Sequence, residues 1–350
     1  MELTKLDTQK AQGAAALGMV MLHLFCRLGD LPYTPLVWIG DVPLIYYLGL
    51  FGDCCVPIYC FCSGYAHYLM ADAQGTAYPR RLPDKALRFL LNYWVVVVLF
   101  SCVGLLSGRA DIIPGSWADF LRNMLVVGVD YNGAWWFVIT YLFLLALSPM
   151  LAAMTKRING LLLLAGSIAV YFAAYLFRFV IHVEIPNAVL SWLWAQIVLL
   201  GTSQLGYLGG MVCRKYCVIG KLRVFLQSRN TLRRGIVFLF PTAAFLSHCI
   251  VQSLFMAPFT AAAVLTGLFL VKLPRWLERF FLLMGKHSTN IWLVHMFFYL
   301  NLFPGLVFCV KYPPLILILM LTLCFATSLL IHTVYGPLYR YWSRIYHTKT

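Results

Sequence analysis

"YWVVVVLFSCVGLL", residues 93–106, carries no charge, and "LLLLAGSIAVYFAAYLF", residues 161–177, carries none either. With their flanks, both are long enough for a spanning helix of about 20 residues. Working outward, the whole chain has the same character. Of its 350 residues 62% are hydrophobic and only 11% charged, with mean hydropathy +0.81. A soluble chain carries about a quarter charged residues. So few charges cannot cover a water-facing surface, and most of this surface must face lipid. The reading is an all-α, polytopic membrane bundle, with residues 1–350 as one integral-membrane domain.

Ten spans are expected, at about 11–29, 42–70, 86–107, 133–154, 160–181, 188–212, 234–253, 256–272, 279–301 and 313–336. The second is long and contains Pro57, which can kink or break it. With both termini in the cytoplasm, only Arg27, Arg109, Arg122, Arg178 and Lys311 of the 27 basic residues fall outside, and Lys286 falls within a span. That asymmetry is the positive-inside pattern. It also accounts for the net charge of +15 without nucleic acid as a partner. Most of the eleven cysteines sit in apolar runs without zinc-like spacing, so they read as small core residues and no metal is expected. "MELTKLDTQK" leads into the first span with no cleavable leader expected.

Within this frame a few ionisable groups stand at depth. His23 lies twelve residues beyond Ala11, about 18 Å into a core about 30 Å thick. Arg27 follows one turn later on the same face. Buried ionisable residues usually face the bundle interior and mark a site, although a helix-packing histidine is the plainer alternative. Asp53 is the only carboxylate well inside a span and could orient His23 as a base. Alternatively, it caps a half-helix after a break at "GDCCVP". "MGKHSTNIWLVHMFFY" places Lys286, His287, Ser288, Asn290 and His295 in the ninth span, polarity that suits a lined cavity. Asn290 is a candidate oxyanion donor. Lys85 and Arg88, in "YPRRLPDKALRFLLNYW", suit a phosphate ligand or serve equally as topology anchors. Trp135, Trp136 and Tyr141 could stack on a sugar or belong to the interfacial belt.

Five segments in order carry a family resemblance. "LTKLDTQKAQGAAALGMVMLHLF" resembles the first helix of the acyltransferase-3 family of membrane O-acyltransferases. "VPIYCFCSGYAHYL", which includes Ser63, is similar to its second-helix signature. "KALRFLLNYW" resembles its basic pair, "AWWFVITYLFL" its Trp-Phe segment, and "MGKHSTNIWLVHMFF" its late Gly-Lys-x-Ser…His segment. The resemblance implies a ten-helix enzyme of the bacterial inner membrane. Such an enzyme moves an acyl group, commonly acetyl, from cytoplasmic acyl-coenzyme A to a hydroxyl of an extracytoplasmic glycan or lipid-linked sugar. It implies that His23 is catalytic and that Lys85 and Arg88 meet the coenzyme. Where the family carries Arg or Lys eleven residues before the histidine, this chain has Gln12, with Lys10 the nearest cation. From composition alone, a multi-pass transporter or flippase of a sugar-containing substrate is the rival reading.

Overall fold

The structure, a computed structural model, describes residues 2–347, with side chains through residue 342. Lys349, one of the cations expected in the cytoplasm, lies outside the described residues. A helix occupies each of the ten stretches expected to cross the membrane. In chain order the elements are α1 (Lys5–Phe25), β1 (Trp38–Ile39), β2 (Val42–Pro43), α2 (Leu44–Leu50), α3 (Cys55–Gln74), α4 (Leu82–Leu106) and α5 (Trp117–Met124). Then come α6 (Trp136–Arg157), α7 (Gly160–Phe179), α8 (Ala188–Lys215), α9 (Val218–Gln227), α10 (Asn230–Ile250), α11 (Ala257–Leu270), α12 (Arg275–Met296), α13 (Pro304–Phe308) and α14 (Pro313–His347).

Among the described residues six helical stretches are both long and apolar enough to cross a membrane: Leu44–Ala77, Pro79–Leu106, Gly133–Arg157, Gly160–Phe179, Ala188–Lys215 and Pro313–Trp342. The chain is therefore a multi-pass membrane protein. The ten-span expectation exceeds these six for a physical reason. Helices α1, α10 and α12 are long, but they carry the ionisable residues that interest us, which lowers their apolarity. Helix α11 is apolar but has only 14 residues.

Short polar residues set where helices begin. Thr4 caps α1 in a reciprocal box with Asp7, its hydroxyl accepting from Asp7 N–H at 3.2 Å while Asp7 accepts from Thr4 N–H at 3.0 Å. The side-chain oxygens of Asn159 and Asn187 accept from backbone N–H groups two residues on, at 2.9 and 3.0 Å. The break foreseen near Pro57 is a single tight turn, a 3₁₀ stretch at Phe51–Cys54 between α2 and α3. Pro57 then falls in the first turn of α3, where a missing N–H leaves no helical bond unmade.

Two compact units divide the chain. The first holds residues 1–26, 46–80 and 140–286; the second holds residues 27–45, 81–139 and 287–350. In the first unit α3 packs along α8 with backbones close together. Gly206 and Gly210, four residues apart, form the small-residue ridge that permits this. A Cβ at Gly206 would stand 2.7 Å from the Pro57 carbonyl oxygen, and one at Gly210 would run into that of Phe61. Gly210→Val is expected to destabilise the fold by about 1–3 kcal/mol, the cost of overpacking a close contact. Thermal unfolding in detergent, wild type against variant, measures it.

In the second unit aromatic packing dominates. Phe100 of α4 stacks on Phe297 at 3.9 Å between centroids, and Tyr93 meets Trp135 edge-on at 4.7 Å. The segment 108–132, between the third and fourth expected spans, contains α5, capped by Ser116 and Asp119 in a second reciprocal box. The hydroxyl of Tyr93 and the indole of Trp94 donate to the carbonyls of Asn123 and Met124, which anchors the end of α5 to α4.

Candidate functional site

The first unit carries His23, Asp53, Gln12, Lys10, Ser63 and Lys286. His23 is half-buried in the last turn of α1. Gln12 and His23, eleven residues apart, lie on one face of α1, since eleven residues make about three turns. Gln12 and Ser63 are half-buried, and Lys286 is exposed. Lys10 stands between two carboxylates, 3.2 Å from Asp7 and 2.9 Å from Glu278. Burial pushes the Asp7 carboxyl up, but the Thr4 backbone N–H and Lys10 outweigh it and hold Asp7 below its usual range.

Asp53 reaches the neighbourhood of α1 through backbone. Gly18 of α1 and Gly52 touch so closely that a Cβ at Gly18 would stand 3.1 Å from the Gly52 Cα, and one at Gly52 would strike the Gly18 carbonyl. Asp53 follows directly, in the 3₁₀ turn, and caps neither neighbouring helix with its side chain. Its carboxylate is held elsewhere. His248 Nε2 lies 2.9 Å from Oδ2, and the Thr260 hydroxyl donates to Oδ1 at 3.1 Å. His248 also faces two carbonyls, Val251 O at 3.1 Å from Nδ1 and Leu50 O at 3.2 Å from Nε2. Carbonyls only accept, so Nδ1 carries a proton. The contact at Nε2 then holds one further proton, shared with Asp53: either an imidazolium facing a carboxylate, or a neutral ring accepting from a carboxylic acid. Asp53 and His248 are both buried. Charged side chains stay in such places only when paired.

His248 was not legible as a site residue. In "FLSHCIVQS" it is a lone imidazole in an apolar run, and its partner is 195 residues away. The sole cue was that Asp53 needed a buried partner and few candidates existed.

The second unit carries Arg27, Lys85, Arg88, Trp136, Ser288, Asn290 and His295. Arg88 Nε donates to Asp84 at 3.0 Å, and its guanidinium lies over the Tyr339 ring at 4.4 Å. Lys85, on the same helix, and Trp136 are half-buried. Trp135 is 2% exposed and donates to the Leu293 carbonyl at 3.1 Å, so this indole is packed into the core rather than presented to a sugar.

Asn290 is bonded at both ends of its amide. Asn92 Nδ2 donates to its oxygen at 2.7 Å, and its own nitrogen donates to Ser328 Oγ at 2.9 Å. His287 Nδ1 lies 2.8 Å from the same Ser328 oxygen. One N–H of the Asn290 amide is thus spent on Ser328, and the second is the one that could serve an oxyanion. Ser288 is buried beside it in sequence. His295 is fully buried, and Nδ1 donates to the Trp292 carbonyl at 2.7 Å, which leaves Nε2 as the basic atom of the neutral ring. A π-helical stretch, Phe297–Leu302, follows at once, a distortion frequent at functional sites. Within it Tyr299 stacks on His295 and lies under the Arg27 guanidinium at 5.4 Å. Arg27 and His295 are thus brought together around one ring.

Among the described residues no three His, Cys, Asp or Glu side chains gather as a metal site. No curated protein and no solved structure matches the chain. A family model described as an acyltransferase domain, Acyl_transf_3, matches residues 11–334, from the start of the first expected span to the last long helix. The match covers nearly the whole length, and the chain belongs to the acyltransferase-3 family of membrane acyltransferases.

Proposed function

We propose that this protein is an O-acyltransferase of the inner cell membrane that takes an acyl group, most simply acetyl, from cytoplasmic acyl-coenzyme A. The acceptor is a hydroxyl of an extracytoplasmic glycan or lipid-linked sugar. The observation that carries the proposal is the place of His23: an imidazole at the end of α1 opposite the charged start of that helix, in a chain whose family match begins at residue 11. Ten spans, the six apolar ones with α1, α10, α11 and α12, and cytoplasmic termini make the basic segments face the donor's compartment.

In this reading His23 takes the proton from the acceptor hydroxyl as its oxygen attacks the thioester carbon. The C–S bond breaks, and the proton passes to the departing coenzyme sulfur. Alternatively the imidazole accepts the acyl group first and passes it on. In this reading Asp53, whose carboxylate is bound by His248 and Thr260, orients His23 through the turn that Gly52 packs on α1 rather than by direct contact. Lys85 and Arg88 meet the coenzyme, as the family resemblance implies.

Membranes containing the protein should release free thiol from acetyl-coenzyme A when given a crude glycan extract. Release dependent on both extract and protein supports the proposal. No coenzyme binding, together with uptake of labelled sugar into vesicles, would replace it with transport.

A further inference from the structure

Helix α9 has 10 residues, about 15 Å of helix, too short to cross a membrane. It lies across the ends of other helices. Lys215 ends α8, and Cys217 then turns the chain in a left-handed conformation at φ 53°. The Gly220 N–H donates at 3.0 Å to the carboxylate of Glu2, just before α1. Arg223 Nε donates at 3.1 Å to the carbonyl of Phe269, near the end of α11, and α10 begins at Asn230. Helices α1 and α10 start along this line while α8 and α11 end there. Their dipoles therefore offset one another, and the charge balance rests on side chains.

One face of α9 turns Leu226 into the bundle, and the other is uncovered: Val218, Lys221, Val224 and Phe225 are exposed. A groove of about 620 Å³ runs between this face and Glu2, walled by Cys217, Gly220, Lys221, Val224 and Phe225. The Arg229 guanidinium covers the Phe225 ring at 3.8 Å. Between Glu184 and Glu278 the sequence has no carboxylate, yet residues 214–234 hold seven cations. Arg214, Lys215 and Arg223 donate to Cys217 Sγ, the Ile158 carbonyl and the Phe269 carbonyl. Arg233 lines a separate cavity with Lys10. Lys221, Arg229 and Arg234, all exposed, remain around the groove's end of the helix. Against them stands Glu2, whose carboxylate also accepts from the Tyr65 hydroxyl at 2.6 Å.

An apolar face bordered by cations belongs neither in water nor in hydrocarbon but at the boundary of headgroups and chains. Cations placed there attract acidic lipids. We infer that α9 is an in-plane helix that binds an acidic phospholipid of the surrounding leaflet, the headgroup at Lys221, Arg229 and Arg234 and one acyl chain in the groove beside Val224 and Phe225. The inference does not depend on the acyl-transfer reading.

The test uses the purified full-length protein in detergent, with phosphatidylglycerol or phosphatidylcholine of identical chains added and retained lipid read by native mass spectrometry. Wild type should retain phosphatidylglycerol in preference to phosphatidylcholine. Lys221→Gln/Arg229→Gln/Arg234→Gln should weaken phosphatidylglycerol binding about tenfold or more and leave phosphatidylcholine unchanged. Phe225→Ala, which removes an apolar wall and the ring under Arg229, should weaken it about threefold. Arg157→Gln/Arg275→Gln/Arg279→Gln removes the same charge from exposed positions of this unit outside α9 and should bind as wild type does. Thermal unfolding within a degree or two of wild type would show that the variants are folded. Equal retention of the two lipids by wild type, or equal losses in the two triple variants, overturns the inference. Displacement of bound phosphatidylglycerol by coenzyme A would make this a nucleotide-phosphate site and overturn the lipid assignment.

Discussion

His23→Ala is expected to lower acyl transfer by about 10²–10⁴-fold if the imidazole is a general base, and to abolish it if the imidazole carries the acyl group. The variant removes half-buried atoms from the last turn of α1 and leaves the Thr4–Asp7 cap and the Gly18–Gly52 contact untouched, so the fold should persist. Thermal unfolding close to wild type with thiol release gone would locate the loss in chemistry. His23→Gln keeps the bulk and the hydrogen bonding without a basic nitrogen, and should be as inactive as His23→Ala. Incubation with radiolabelled acetyl-coenzyme A in the absence of acceptor separates the two routes. Label retained on wild-type protein and lost in His23→Gln indicates an acyl-histidine, whereas no retained label indicates base catalysis. Turnover in both variants within a factor of two of wild type would remove His23 from the mechanism.

The second large effect concerns Asp53 and His248. Removing one member of a buried charge pair leaves the other uncompensated, which typically costs about 3–5 kcal/mol. Asp53→Ala is therefore expected to lower stability by that order, and His248→Ala by a similar amount. The Thr260 hydroxyl, whose single proton is within reach of the carbonyls of Met256 and Ala257 as well as of Asp53, cannot replace either. The double variant Asp53→Leu/His248→Phe should recover most of the loss, because an apolar pair of similar volume needs no partner in this setting. A double-mutant cycle by thermal unfolding gives the coupling directly. Additive single losses would mean that the 2.9 Å contact contributes nothing specific. If the pair also serves His23, the double variant will be folded and inactive, a separation of stability from activity that a purely structural pair would not produce.

Much of the architecture is legible in the sequence, because a span is a local property: about 20 apolar residues are recognisable wherever they occur. The tight turn before Pro57 is local in the same sense. What sequence does not carry is azimuth. Asp53 was recognisable as a buried carboxylate in need of a partner, but a carboxylate at a given depth can point in any direction. It points to His248, which no spacing rule connects to it. The same holds for Asn290, whose amide oxygen and one N–H are bonded to Asn92 on α4 and Ser328 on α14. Helix α5 is a different case. Ser116 and Asp119 form a capping box legible in the sequence, because its two partners stand three residues apart.

The uninterrupted run of α1 from Lys10 to His23 bears on which donors can react. An α-helix scarcely stretches or shortens, and the Gly18–Gly52 contact keeps this one from sliding against the turn beside it. If the proposed donor lies along this helix, the distance between the helix's charged start and His23 is a fixed length, and selection among donors is a matter of reach rather than of the acyl group's identity. Thioesters that share the full coenzyme arm should compete with one another whatever acyl chain they bear. A thioester of pantetheine alone, with no anchor at the far end, has to find the imidazole by diffusion.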